Sequence, residues 1–186
     1  MESGNRLKYK AYTGVGSRET PPTILKEMHH IAYQLAIAGW VLRSGGANGA
    51  DTAFEQGGDC ARKPMEIYLP WKSFNRNASE LHAPSADAML IASEIHNGWK
   101  YLKEPARLLM ARNVHQVLGE DLNSPSKFLV CYTRDGCTSH LQYSRKTGGT
   151  GMAIALASLF DIPVFNMHDR NITSDVVVDF AFSIVV

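Results

Sequence analysis

Short apolar runs alternate along the chain with longer stretches in which apolar residues recur every three or four positions. The first period suits buried strands and the second suits helices with one buried face. Residues 8–13 form a short aromatic-rich run that ends at Gly14-Val15-Gly16-Ser17, which predicts a first strand and a tight turn. Pro21-Pro22 then opens a helix, because proline's missing N–H has no intrahelical partner in the first turn. Ile24, Met28, Ile31, Ala32, Leu35 and Ala36 recur at helical spacing, and Gly39 ends the run. Residues 40–43 form a second strand, and a loop from Ser44 to Asp51 leads into a second helix that reaches about Gln56. A third strand covers 65–69 and closes at Pro70, followed by an irregular loop over 71–84. Two helices are expected near 85–97 and 105–118, then a strand over 128–132 and a polar loop over 133–148. An alanine-rich helix runs from Gly149-Thr150-Gly151 to Phe160, and 162–166 forms another strand. The apolar, β-branched tail 174–186 fits a strand or a helix, and its end favours a strand.

Strands that alternate with helices predict an α/β fold with a mostly parallel sheet and helices on both faces. In such sheets ligands bind beyond the carboxyl ends of the strands, where the strand order reverses. Both glycine-rich segments follow strands or nearly so, which places them at one crevice. A chain of 186 residues suits a single domain spanning 1–186.

Composition narrows the choice of partners. A net charge of +1 gives no global attraction for a polyanion, so nucleic acid would need a local basic patch. Lys100, Lys103, Arg107 and Arg112 form the one candidate cluster. Cys60, Cys131 and Cys137 do not make a disulfide framework, and a reducing, cytoplasmic setting is the simpler expectation. Their spacing with His140 matches no common zinc pattern, so no metal and no cofactor is expected. No apolar segment approaches membrane-spanning length, so no membrane contact is expected.

Three glycine-bearing turns carry the candidate chemistry. Arg43-Ser44-Gly45-Gly46-Ala47-Asn48-Gly49-Ala50-Asp51 opens a helix whose free N–H groups and dipole favour an anion. Ser44 can donate a hydroxyl there, and Asp51 can cap the helix or bond a ribose hydroxyl. Lys146-Thr147-Gly148-Gly149-Thr150-Gly151 has the same physics, with Thr147 and Thr150 as donors to phosphate oxygens. No Gly-Lys-Ser/Thr follows at Walker A spacing, which disfavours a P-loop ATPase. The first turn offers Gly16, Ser17 and Arg18, but its spacing falls short of the dinucleotide fingerprint. Arg112 and Asn113 can bind a phosphate and a base or sugar edge. Hydrolysis would need a carboxylate near a sugar, and Asp51, Glu55 and Glu94 are the candidates. Glu55 lies four residues after Asp51 and shares its helix face. Trp71 and Phe74 suit a stacking lid or a core edge.

Ser44-Gly45-Gly46-Ala47-Asn48-Gly49-Ala50-Asp51-Thr52-Ala53 resembles the Ser-Gly-Gly-Ala-x-Gly-Ile-Asp-x-Ala signature of the DprA/Smf DNA-processing family. Thr13-Gly14-Val15-Gly16-Ser17-Arg18 and Ala111-Arg112-Asn113 resemble two further segments of that family. Thr147-Gly148-Gly149-Thr150-Gly151 resembles the second glycine-rich loop of the wider SLOG superfamily, which also holds the LOG-type proteins. The resemblance covers roughly residues 9–166 and implies a Rossmann-like fold with a nucleotide-type ligand at the strand ends. Through it, three functions come into view. The first is a stand-alone SLOG domain that binds a nucleotide or nucleotide-derived small molecule. The second is cleavage of a nucleotide N-glycosidic bond, as in LOG-type members. The third is binding of single-stranded nucleic acid, as in DprA/Smf. The LOG-type Pro-Gly-Gly-x-Gly-Thr-x-x-Glu motif is incomplete, since Lys146-Thr147 replaces its proline and Ala155-Leu156 fall where its glutamate would be. The first function is therefore the leading expectation. A bacterial or phage source and a homodimer or higher homo-oligomer also follow from the resemblance.

Overall fold

A computed structural model describes residues 10–184 of the chain. Five strands form one sheet: β1 (Ala11–Gly14), β2 (Val41–Ser44), β3 (Met65–Ile67), β4 (Leu129–Cys131) and β5 (Val164–Asn166). Their order is β3-β2-β1-β4-β5, and every pairing is parallel. Six α-helices among the described residues connect and cover them: α1 (Pro22–Ile37), α2 (Ala50–Cys60), α3 (Ala86–Ile95), α4 (Glu104–Leu118), α5 (Thr150–Leu159) and α6 (Ser174–Ser183). The expected α/β, Rossmann-like architecture is the one observed.

The central strands are buried on both sides, and β4 shows how. Phe128 and Val130 join a core with Tyr12, Met28, Ile31, Phe54 and Val177, which draws on α1, α2 and α6. Leu129 and Cys131 point the other way, into a core with Val114, Val117, Ile154 and Ala88 from α3, α4 and α5. Alternation with a period of two thus serves two apolar layers rather than one apolar and one wet face. Phe128 is fully buried and stacks on Tyr12 at 5.4 Å. Such a pair adds about 0.5–1.5 kcal/mol beyond its area burial.

Helix ends follow local chemistry. Pro22 occupies the first turn of α1, and Gly39 at φ 83° turns the chain out of it toward β2. Ser85 accepts from the Ala88 N–H and caps α3.

Two expectations are refined. Of the strand and the helix that suit the tail, the helix forms over Ser174–Ser183, capped by Thr173, whose side chain accepts from the Val176 N–H. Glu27 of α1 accepts from the Ser174 N–H at 3.2 Å, and Val177 and Ala181, one turn apart, are buried. Capping and the i, i+4 spacing override the strand preference of the valines here. Residues 185–186 of that tail lie outside the described residues, as do 8 and 9 of the first strand. The 65–69 strand pairs only over Met65–Ile67, and Leu69 then makes an isolated bridge to His82. No helix among the described residues is long and apolar enough to cross a membrane.

Candidate ligand-binding site

The strand order reverses between β1 and β4, as the α/β rule requires of a binding crevice. Beyond their carboxyl ends the β1–α1 loop stays close to β4, with the Ser17 N–H donating to the Tyr132 carbonyl at 3.1 Å. The loop before α2 packs against it. Gly49 stands at φ 85°, and a Cβ there would lie 2.7 Å from the Arg18 Cα, so only glycine fits.

A cavity of about 340 Å³ opens at this point. One wall is Gly16, Ser17 and Arg18. Its base is Ala47 and Asp51, from the loop and first turn of α2. Arg112, Asn113 and Gln116 come from α4, and Thr147, Gly148, Gly149 and Thr150 close the far side. The structure therefore brings segments near residues 16, 50, 112 and 148 to one place. Among the described residues, no group of three or more His, Cys, Asp or Glu could hold a metal ion.

Arg112 is the centre of the polar arrangement. Its side chain is 8% exposed, and its Nη1 donates to Oδ2 of Asp51 at 3.3 Å. Asp51 also accepts from the Ala47 N–H at 3.3 Å, which fixes the carboxylate against the loop. Burial pushes the Asp51 carboxyl above the usual carboxylate range and lowers Arg112, and each partner's charge counters the other's shift. Arg18 lies close enough to lower Arg112 further, so two guanidinium groups converge on the cavity. The Arg112 Nε and both amide atoms of Gln116 are buried with no hydrogen-bond partner. Gln116 stands one helical turn after Arg112, and that spacing was the signal available for it.

Other candidates have different tasks from those expected. Ser44 is buried and its hydroxyl donates to the Gly14 carbonyl at 2.8 Å, so it ties β2 to β1. Gly45 does not face the cavity; it lies behind Arg112, and a Cβ there would fall 1.3 Å from Nη1. Gly46 donates its N–H to Glu55 at 2.9 Å. Glu55 also accepts from the Asn77 side chain at 2.8 Å, so this carboxylate clamps the loop and does not line the cavity. Burial and the nearby Asp51 push its carboxyl up to about 7. Asn48 is exposed and bonds Asn75 at 3.3 Å, away from the cavity. Glu94 lies on the exposed side of α3 and does not line it either.

The second loop is built by a network the sequence did not suggest. Thr147 donates to Asp135 at 2.6 Å and accepts from the Ser144 N–H at 3.1 Å. Asn166 of β5 bonds Thr133 at 2.7 Å and the Cys137 carbonyl at 2.8 Å. Asn113 donates to the Gly149 carbonyl at 2.9 Å and so holds the loop to α4. Thr150 keeps its hydroxyl free of protein partners among the described residues, and the Gly149 and Thr150 N–H groups at the start of α5 are likewise unpaired. Lys100 and Lys103 are exposed, whereas Arg107 lies 5.6 Å over the Trp99 ring and bonds the Trp99 and Lys100 carbonyls.

No protein-family model matches the chain, and no curated protein matches it. Among solved structures it is similar to the Moco carrier protein of Chlamydomonas rheinhardtii. The identity is 16%, the TM-score is 0.50, and the match covers 94% of this chain and 99% of that one. The molybdenum cofactor binding protein of the phototrophic bacterium Rippkaea orientalis is 14% identical, with a TM-score of 0.48, over 97% of this chain and 99% of that one. The likeness to the Chlamydomonas protein is one of fold: a Rossmann-like α/β architecture.

Proposed function

We propose that the protein is a stand-alone SLOG-type domain that binds a nucleotide or nucleotide-derived ligand, with its phosphate between Arg18, Arg112 and the start of α5. The observation that carries this reading is the group of unpaired buried donors at Arg112 and Gln116, beside the cavity. A buried polar atom without a partner costs about 1–3 kcal/mol. A ligand oxygen that met those donors would recover that cost. The start of α5 adds free N–H groups and the positive end of the helix dipole. The thermal-shift test uses mono-, di- and cyclic nucleotides and ADP-ribose. A rise in unfolding temperature with at least one of them supports the reading, because a ligand specific to the folded state must stabilise it. No rise with any of them counts against it.

The Chlamydomonas protein, which shares this fold, is by name a carrier of the molybdenum cofactor. That cofactor is a candidate for the same cavity on the likeness of fold. It therefore belongs in the same ligand panel.

Hydrolysis of an N-glycosidic bond is less well supported. Asp51 is the one candidate carboxylate at the cavity, and it already serves Ala47 and Arg112. Incubation with nucleoside monophosphates tests it, and release of free base would establish the activity.

A further inference from the structure

A second recess, of about 530 Å³, adjoins the first. The two share Met110 of α4 and Gly148 of the second glycine-rich loop. A phosphate seated at Gly149 and Thr150 would lie beside Gly148, where the two recesses meet. The recess is lined differently from the first. Tyr143 stands edge-on to His96, with ring centroids 6.1 Å apart and planes at 76°. Tyr143 is held firmly from behind, since a Cβ on Gly151 would fall 2.3 Å from its ring. Tyr101 also lines the recess but is 78% exposed, and no ring among the described residues covers it. Lys100 places its ammonium 4.9 Å from the centre of the Tyr101 ring. The thioether of Met110 forms part of the boundary with the first cavity, and Arg145 adds a cation.

This lining fits a flat ring with polar edges. Aromatic faces and a thioether take up such a ring by stacking, whatever its hydrogen-bonding pattern. An apolar chain would leave Arg145 unpaired, and a second phosphate would leave the rings uncovered. We infer that this recess is the subsite for the heteroaromatic ring of the ligand whose phosphate occupies the first cavity, with Tyr101 as its stacking face. The inference rests on the phosphate reading above and adds the place and recognition of the ring.

The test is calorimetric titration of the full chain with AMP, GMP, CMP, UMP and ribose 5-phosphate. It is run on wild type, Tyr101→Ala and Tyr101→Phe. Because Tyr101 is so exposed, both variants should fold, and their unfolding temperatures should match wild type. At least one nucleotide should bind about ten-fold or more tighter than ribose 5-phosphate. Tyr101→Ala should weaken that nucleotide by about five-fold or more, the lower end of what loss of a stacking ring costs. Tyr101→Phe should restore it, and ribose 5-phosphate should be indifferent to both changes. If ribose 5-phosphate binds as tightly as the best nucleotide, or Tyr101→Ala weakens both equally, the ring subsite is wrong while the phosphate site stands. If nothing in the panel binds, the phosphate reading falls and the ring subsite with it.

Discussion

Gly45 is the seat of Arg112: a Cβ on that glycine would fall 1.3 Å from Nη1 of the guanidinium. The first glycine-rich loop thus gives room to an arginine that arrives from α4, 67 positions later in the chain. Only Ala47 and Asp51 of that stretch reach the cavity. The expected consequence is that Gly45→Ala displaces Arg112. It should destabilise the fold by about 1–3 kcal/mol, the usual range for overpacking, and should also abolish ligand binding. Urea denaturation checks the first effect and titration the second.

Asp51 is the only counter-ion bonded to Arg112 among the described residues, and both side chains are buried. Asp51→Asn should therefore cost about 3–5 kcal/mol, because it leaves a buried cation uncompensated. The double variant Asp51→Asn, Arg112→Gln should cost less than the sum of the two single changes. A double-mutant cycle by chemical denaturation measures the coupling.

Glu55 makes stability depend on pH in a defined direction. Its carboxyl is raised from an ordinary value of 4.5 to about 7, so between those values the folded state holds a proton that the unfolded state has lost. This group's contribution is fully present below about 4.5 and is lost as pH rises through about 7. The buried Asp51, also raised, adds a slope of the same sign. Glu55→Gln should flatten the fall in stability between pH 5 and pH 8 by keeping the side chain neutral throughout, as denaturation at a series of pH values would show.

Asp135 holds Thr147 by the short bond that shapes the second loop. Asp135→Ala should cost about 1.5–3 kcal/mol at most, the range for hydrogen bonds to a charged group. It should also speed proteolysis within 133–148, leave the core intact and weaken ligand binding. Limited proteolysis followed by mass analysis reads the local effect.

The fold was largely legible because its signals are local. Met28, Ile31 and Leu35 mark a helix by spacing, Pro22 and Gly39 bracket it, and the short apolar run Phe128 to Cys131 suits a buried strand. The tail was harder, since its valines favour a strand while Thr173 and Glu27, which start α6, act through a cap and a distant partner. The glycine-rich turns marked where the cavity lies for the same local reason. The duties of single groups were not legible, because each depends on a neighbour remote in sequence. Ser44 bonds Gly14, Glu55 bonds Asn77, and Thr147 bonds Asp135. Neither glycine spacing nor residue type encodes those directions. Gln116 alone had a usable signal, one turn from Arg112.

The most direct measurement compares nucleotide with nucleoside. Calorimetric titration of wild type and Arg18→Ala with AMP, GMP, CMP and UMP, and with the matching nucleosides, isolates the contribution of the phosphate. Arg18 is exposed at the cavity wall, so its loss should spare the fold. In wild type at least one nucleotide should bind about ten-fold or more tighter than its nucleoside, as expected of a charge-assisted phosphate contact. Arg18→Ala should narrow that gap and leave nucleoside affinity unchanged. Equal binding of nucleotide and nucleoside, or a gap that Arg18→Ala leaves intact, would contradict a phosphate seated between Arg18, Arg112 and α5.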